Sequence, residues 1–299
     1  MVINYQGEIA ALVAAVLWAF ASVVYGRVGA HIPPLHLNLI KGIIAIVLLL
    51  ITIVATGKLS LVIAPVPLCL LLLSGVIGIG LGDTAFLAGI NSLGARRLLL
   101  LETLAPPMTA VFALIFLQER LNASAWCGVL LTILGVAWVI SERTEKEINS
   151  SLPLRGVVFG LLAAVANASG AVLSRAALVN TNINPLWAAL IRLGAATFFL
   201  LPLIVWQQDK SKTSILSYSK QWRVVAATCF AAFCGTYLGI WLQQTAIKLA
   251  PVGIASTLLQ TSPIFILPLA LWTGEKVSIR AVIGVIIAIA GIALLFYLK

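Results

Sequence analysis

Apolar residues fill this chain in long blocks separated by short polar punctuation. Ten blocks stand out: Ile9–Tyr25, Leu37–Ala55, Leu68–Ile90, Leu98–Leu117, Ala123–Ile140, Gly156–Val179, Leu186–Trp206, Val224–Ile247, Val252–Trp272 and Ile279–Leu298. Each approximates the roughly 17–25 residues that span hydrocarbon as a helix rising about 1.5 Å per residue. In lipid the backbone has to bond within its own segment, so the blocks predict helices. Strict alternation of apolar and polar positions, the mark of a barrel strand, is absent. Connections are short, as at His31-Ile32-Pro33-Pro34 and Asn91–Arg97, except for the polar stretches Ser141–Arg155 and Gln207–Arg223. The predicted fold class is an all-α membrane protein of ten transmembrane helices.

The first five blocks are echoed by the last five. Ala14-Ala15-Val16 aligns with Ala163-Ala164-Val165, and Leu39-Ile40-Lys41 with Leu190-Ile191-Arg192. Pro107 aligns with Pro263, Glu119 with Glu275, and Gly128 and Gly135 with Gly284 and Gly291. Residues 1–148 and 149–299 therefore read as two five-helix repeats. Because five is odd, the second repeat must enter the membrane from the opposite side. That predicts inverted repeats, with a solute site near the midplane between them.

Composition agrees with lipid as the solvent: 62% of residues are hydrophobic and only 9% charged, against about 25% charged in a soluble domain. The net charge of +10 does not point to nucleic acid, because most Lys and Arg lie between blocks, where phospholipid headgroups sit. Their excess falls in the connections opposite the termini, which by the positive-inside rule puts the termini outside. The N-terminal MVINYQGE has no basic residue before the first block, so that block is read as a retained span rather than a signal peptide. Cys69, Cys127, Cys229 and Cys234 form no C-x-x-C pair and read as inert buried thiols. No metal site and no cofactor is expected. Membrane lipids are the expected surroundings, and the chain is a monomer or a homodimer.

Four ionisable residues lie well within the blocks: Lys41, Asp83, Glu102 and Arg192. A charge near the bilayer centre costs at least about 2.5–3.5 kcal/mol on insertion scales, so each should face protein or a watery cavity. Two readings stand side by side. Either they line a solute pathway, with Glu102 or Asp83 meeting a cationic group and Lys41 or Arg192 an anionic one, or they form internal salt bridges that hold the bundle. Trp18, Ser22 and Tyr25 share one helix face at i, i+4 and i+7, as do Tyr237, Trp241 and Gln244. Cavity lining and packing are both open for Trp18 and Trp241, whereas Tyr25 reads as an interfacial anchor. Asn167 and Gln260 are amides that should point inward. Pro106, Pro107 and Pro263 break helices and free the carbonyls four residues earlier, for solute, for water or only to shape the bundle. Glu8 reads as a helix N-terminal charge. Glu119 and Glu275 read as structural, through turn hydrogen bonds or pairing with Arg120 and Lys276.

These features resemble the EamA-type ten-span permeases of the drug/metabolite transporter superfamily. The resemblance rests on the repeated five-helix unit, the LWAFASVVYGR segment, the Gly94-Ala95-Arg96-Arg97 entry to the fourth block, and the pairs Gln118-Glu119 and Gly274-Glu275. It implies alternating access around a central cavity, no ATP site, and termini in the cytoplasm against the charge bias; the family orientation is adopted. It also implies export of amino acids, other metabolites or drugs across a cell membrane, with a bacterial-type plasma membrane as the expected location. Small four-span multidrug relatives place a proton-titrating Glu in the middle of the first span. The matching positions here hold Trp18 and Asn167, so their proton-for-cation antiport is not carried over. The reading is a secondary transporter of a small-molecule solute and not an enzyme. The rivals are an intramembrane enzyme, for which no D-D-x-x-D run, nucleophile motif or His cluster exists, and a passive pore.

Overall fold

A computed structural model of the 299-residue chain describes residues 5–28, 32–59, 62–93, 95–140, 153–208, 222–262, 264–265 and 279–297. Every regular element among the described residues is a helix. α1 (Gln6–Val28) carries Glu8 in its first turn and Arg27 in its last, the signs that the helix dipole favours. α2 (Pro34–Ala55) and α3 (Pro65–Leu93) both open on a proline, which needs no N–H donor at that position. The fourth block divides into α4 (Ala95–Glu102) and α5 (Ala105–Leu117). α6 (Ala123–Ile140) starts where Asn122 Oδ1 accepts the Ala125 N–H at 2.7 Å. α7 (Leu154–Leu178), α8 (Pro185–Gln208), α9 (Trp222–Leu249), α10 (Val252–Leu259) and α11 (Ile279–Tyr297) follow.

Six of these helices, α1, α2, α3, α7, α8 and α9, are long and apolar enough to cross a membrane. α5 and the apolar parts of α6 and α11 are shorter. The fourth block is not one span-length helix. Pro106 and Pro107 lack the N–H groups that would continue the α ladder to the carbonyls of Glu102 and Thr103. The chain turns there and resumes with both prolines in the first turn of α5. Pro263, Glu275 and Lys276 lie outside the described residues.

Burial runs opposite to that of a water-soluble protein. Phe116, Phe198, Val205 and Ile279 stand exposed on outer helix faces, while Lys41, Glu102, Arg192 and Gln244 are buried. Such a surface suits hydrocarbon. Cys69, Cys127 and Cys229 share the outer surface and only Cys234 is buried, which corrects the expectation of four buried thiols. A thiol is apolar enough to sit among lipid tails.

Small residues set the closest helix crossings. α6 and α11 meet with Gly128 against Gly291 and Leu295, and Gly135 against Gly284 and Ala288. α3 crosses α7 with Gly78 against Gly170, and α9 crosses α1 with Gly235 against Ala21. In lipid, where helices gain nothing by hiding from water, such contacts supply the packing.

Candidate functional site

α3 and α9 each carry an internal π-helical segment, Gly75–Asp83 and Ala232–Leu238. A π turn disturbs the backbone ladder, and side chains of neighbouring helices take up the exposed carbonyls. Asn38 Nδ2 donates to Ile79 O at 3.0 Å and to Thr84 Oγ1 at 2.9 Å. Trp18 Nε1 donates to Gly235 O at 2.7 Å. The glycines of the α3 segment also let α8 approach until Gly75 touches the Arg192 backbone and Gly78 faces its guanidinium. A basic side chain is thereby carried into the middle of the bundle.

The α4–α5 break delivers an acid to the same region. Glu102 is the last residue of α4. Its carbonyl, deprived of a donor by Pro106, accepts from Gln260 Nε2 at 2.8 Å at the end of α10. Its carboxylate Oε2 accepts from Asn167 Nδ2 of α7 at 2.9 Å. The proline-freed carbonyl foreseen in the sequence is thus bound by a side chain of the chain itself.

These elements line a partly open cavity of about 190 Å³. Of the residues singled out in the sequence, Trp18, Ser22, Lys41, Asp83, Glu102, Pro106, Asn167, Arg192 and Gln260 line it, and so does Tyr25, which the sequence suggested as an interfacial anchor. Lys41 of α2 and Asp83 of α3 form an ion pair, and the Lys41 ammonium lies 5.7 Å from the centre of the Tyr25 ring. Arg192 and Glu102 are each only 3% exposed. Arg192 Nη1 donates to Gln243 Oε1 at 3.2 Å, and its Nε has no partner. The second carboxylate oxygen of Glu102 has none either.

Tyr237, Trp241 and Gln244 do not line this cavity. Tyr237 hydrogen-bonds Thr52 at 2.6 Å and packs with Trp241 against α2 and α8. Gln244 is fully buried and bonded to Ser174. The lining stripe on α9 is Thr236, Ile240 and Gln243, one residue round the helix. It has the same i, i+4, i+7 spacing, so periodicity alone cannot choose between the two stripes. Tyr25 was missed for another reason. It ends an apolar block, but α1 continues past it and its hydroxyl meets Thr236 at 2.9 Å, inside the bundle. Pro107 also lies off the lining.

At one end of the bundle, Glu119 pairs with Arg175 of α7 rather than with its neighbour Arg120. Arg175 Nη1 also donates to the carbonyls of Ile247 and Lys248, each at 2.7 Å, and Glu119 Oε2 accepts the Val252 N–H at 3.0 Å. A cation therefore sits at the C-terminus of α9 and an anion at the N-terminus of α10, as helix dipoles prefer.

Breaking the Lys41–Asp83 pair from one side should be costly. Lys41→Met leaves the partly exposed Asp83 carboxylate without its counter-charge, a loss below the about 3–5 kcal/mol of a fully buried pair. Adding Asp83→Leu should restore most of the thermal stability in detergent. If the double variant melts no higher than the single one, the pair is not what holds these helices.

A family model, described as the EamA-like transporter family, matches residues 5–141 and again residues 154–297. The chain belongs to the EamA-like transporter family. As an EamA-family protein it is a multi-pass integral membrane protein with the fold of small-solute transporters. A protein solved by crystallography, 16% identical in sequence, matches it with a TM-score of 0.80 over 99% of this chain and 98% of its own. The EamA fold is therefore shared from end to end. No curated protein matches the chain in sequence.

Proposed function

We propose that this EamA-family chain is a secondary transporter that exports amino acids or similar small organic metabolites by alternating access. The observation that carries the reading is the internal cavity at the broken helices, walled by both signs of charge and by apolar and aromatic side chains. A carrier needs a site enclosed at mid-membrane and helices interrupted beside it.

We infer further that residues 1–148 and 149–299 are inverted five-helix repeats, ten transmembrane helices in all. The family model matches once in each half, and the glycine contacts of α6 and α11 support the inversion. Gly128 corresponds to Gly284 and Gly135 to Gly291 in the two halves. The observed contacts are Gly128 with Gly291 and Gly135 with Gly284. Exchanging the halves maps each contact onto the other, as a two-fold axis between α6 and α11 requires. Likewise α1 packs on α9 as α7 packs on α3, each first helix of one half on the third of the other. The location follows from the resemblance: a cell membrane of bacterial plasma-membrane type.

Counterflow in proteoliposomes tests the carrier. Unlabelled leucine inside should accelerate entry of labelled leucine severalfold, then let the label run back out. Entry indifferent to internal leucine marks a pore, and no leucine movement removes amino acids from the reading.

A further inference from the structure

Which end of the bundle is shut follows from burial on either side of the cavity. At the end where α9 meets α10, Ala246, Ile247, Ala250 and Val252 are wholly buried. This corner of the second half is wedged between helices of the first. Gly7 of α1 stands against Ala250, and Gly253 against Ala110 of α5. Ile247 and Val252 pack in one cluster with Leu71 and Ala113. Toward the other end, where α3 finishes, the cavity-lining Asp83 and Phe86 are only half-buried. The cavity is therefore wetted from that side and sealed at the corner.

One side chain of the first half fastens the corner. Gln118 caps α5 in the left-handed region at φ 56°, and the Glu119 N–H donates back to Ala113 O at 3.2 Å. This tight helix-ending turn fixes the backbone of Glu119. Its carboxylate then reaches Arg175 and the Val252 N–H, while Arg175 grips the carbonyls of Ile247 and Lys248. The Lys41–Asp83 pair joins two helices of one half and cannot fasten one half to the other. The Glu119–Arg175 pair also keeps contact with water, with 19% and 11% of the two side chains exposed. Water can take up both charges when they part, so release strands no bare ion in oil.

We propose that Glu119 is the latch of a gate. Its bonds to Arg175 and Val252 keep the α9–α10 corner seated, and the cavity opens at this end only when they are released. This rests on the transporter reading above and adds the residue that governs which end is open.

The test is hydrogen–deuterium exchange of the purified full chain, read over residues 246–253 at the sealed corner and over Thr84–Leu93 at the other end. Glu119→Ala removes both bonds of the latch. Exchange over residues 246–253 should become about 10-fold faster, the population shift of one lost charge-assisted contact. Exchange over Thr84–Leu93 should become slower, because one end opens at the expense of the other. Glu119→Gln keeps an acceptor for Val252 and should move both segments the same ways by less; it decides the matter if the alanine variant does not fold. Faster exchange at both ends means that Glu119 only supports the fold, and overturns the proposal. Unchanged exchange at the corner does the same. Counterflow of leucine without these opposed shifts sinks the latch and leaves the carrier standing; opposed shifts without counterflow keep the latch and sink the carrier.

Discussion

Gly75→Val removes the folded protein. A Cβ at Gly75 would lie within the carbonyl and Cα of Arg192 on α8. Both partners are backbone, so no side chain can swing aside. α3 and α8 must separate, and the Gly78 contact with the Arg192 guanidinium opens with them. Ordinary overpacking of a core costs about 1–3 kcal/mol. A collision of two helix backbones should exceed that range and leave no monodisperse peak in size-exclusion chromatography. The control is Gly194→Ala, on the same α8, where an added Cβ meets nothing within 4 Å. That change should shift stability by no more than about 1 kcal/mol, in the favourable direction of helix propensity. Equal behaviour of the two variants would remove the close crossing from the account of why Arg192 is buried.

Arg175→Met should be the most damaging single change at the Glu119 end of the bundle. It strands the Glu119 carboxylate and uncovers two carbonyls at the C-terminus of α9. The pair is partly buried, so losing one partner should cost less than the about 3–5 kcal/mol of a fully buried pair. Glu119→Gln should cost less, because its amide oxygen can still accept the Val252 N–H. In a double-mutant cycle on thermal stability the two positions should couple by about 2 kcal/mol, within the range for contacting charges. Additive effects would mean that α5, α7, α9 and α10 are not tied through this pair.

How much of this was legible in the chain depends on what each signal reports. Block length gave the all-helical class and the six span-length helices, because hydrocarbon thickness and helix rise leave little freedom. The inward placement of Lys41, Asp83, Glu102, Asn167, Arg192 and Gln260 followed from the cost of polar groups in lipid. Which charges pair did not follow, since pairing depends on crossings among α2, α3, α7 and α8. The π segments were also invisible; glycines crowd the α3 segment, but crowding has a simpler explanation in close packing. Without helix phase, Tyr237, Trp241 and Gln244 looked as suited to a cavity as Thr236, Ile240 and Gln243. Tyr25 was judged by its distance from the end of a block, and the helix runs on beyond the block. Glu119 read as structural, through turn hydrogen bonds or pairing with Arg120; it accepts the Val252 N–H, and its ion-pair partner lies on α7.

The central claim is that the two halves move about the internal cavity. Spin-label distances at both ends of the bundle in one reconstituted preparation test it most directly. One pair, at Thr56 and Leu249, sits at the end where the Trp187 indole reaches the Lys58 carbonyl and Lys248 reaches that of Ile183. The other, at Asn91 and Trp222, sits at the end where Leu37, Leu87 and Val224 cluster. On adding leucine, one distance should lengthen as the other shortens. Two distances that stay fixed, or that change together, would contradict alternating access.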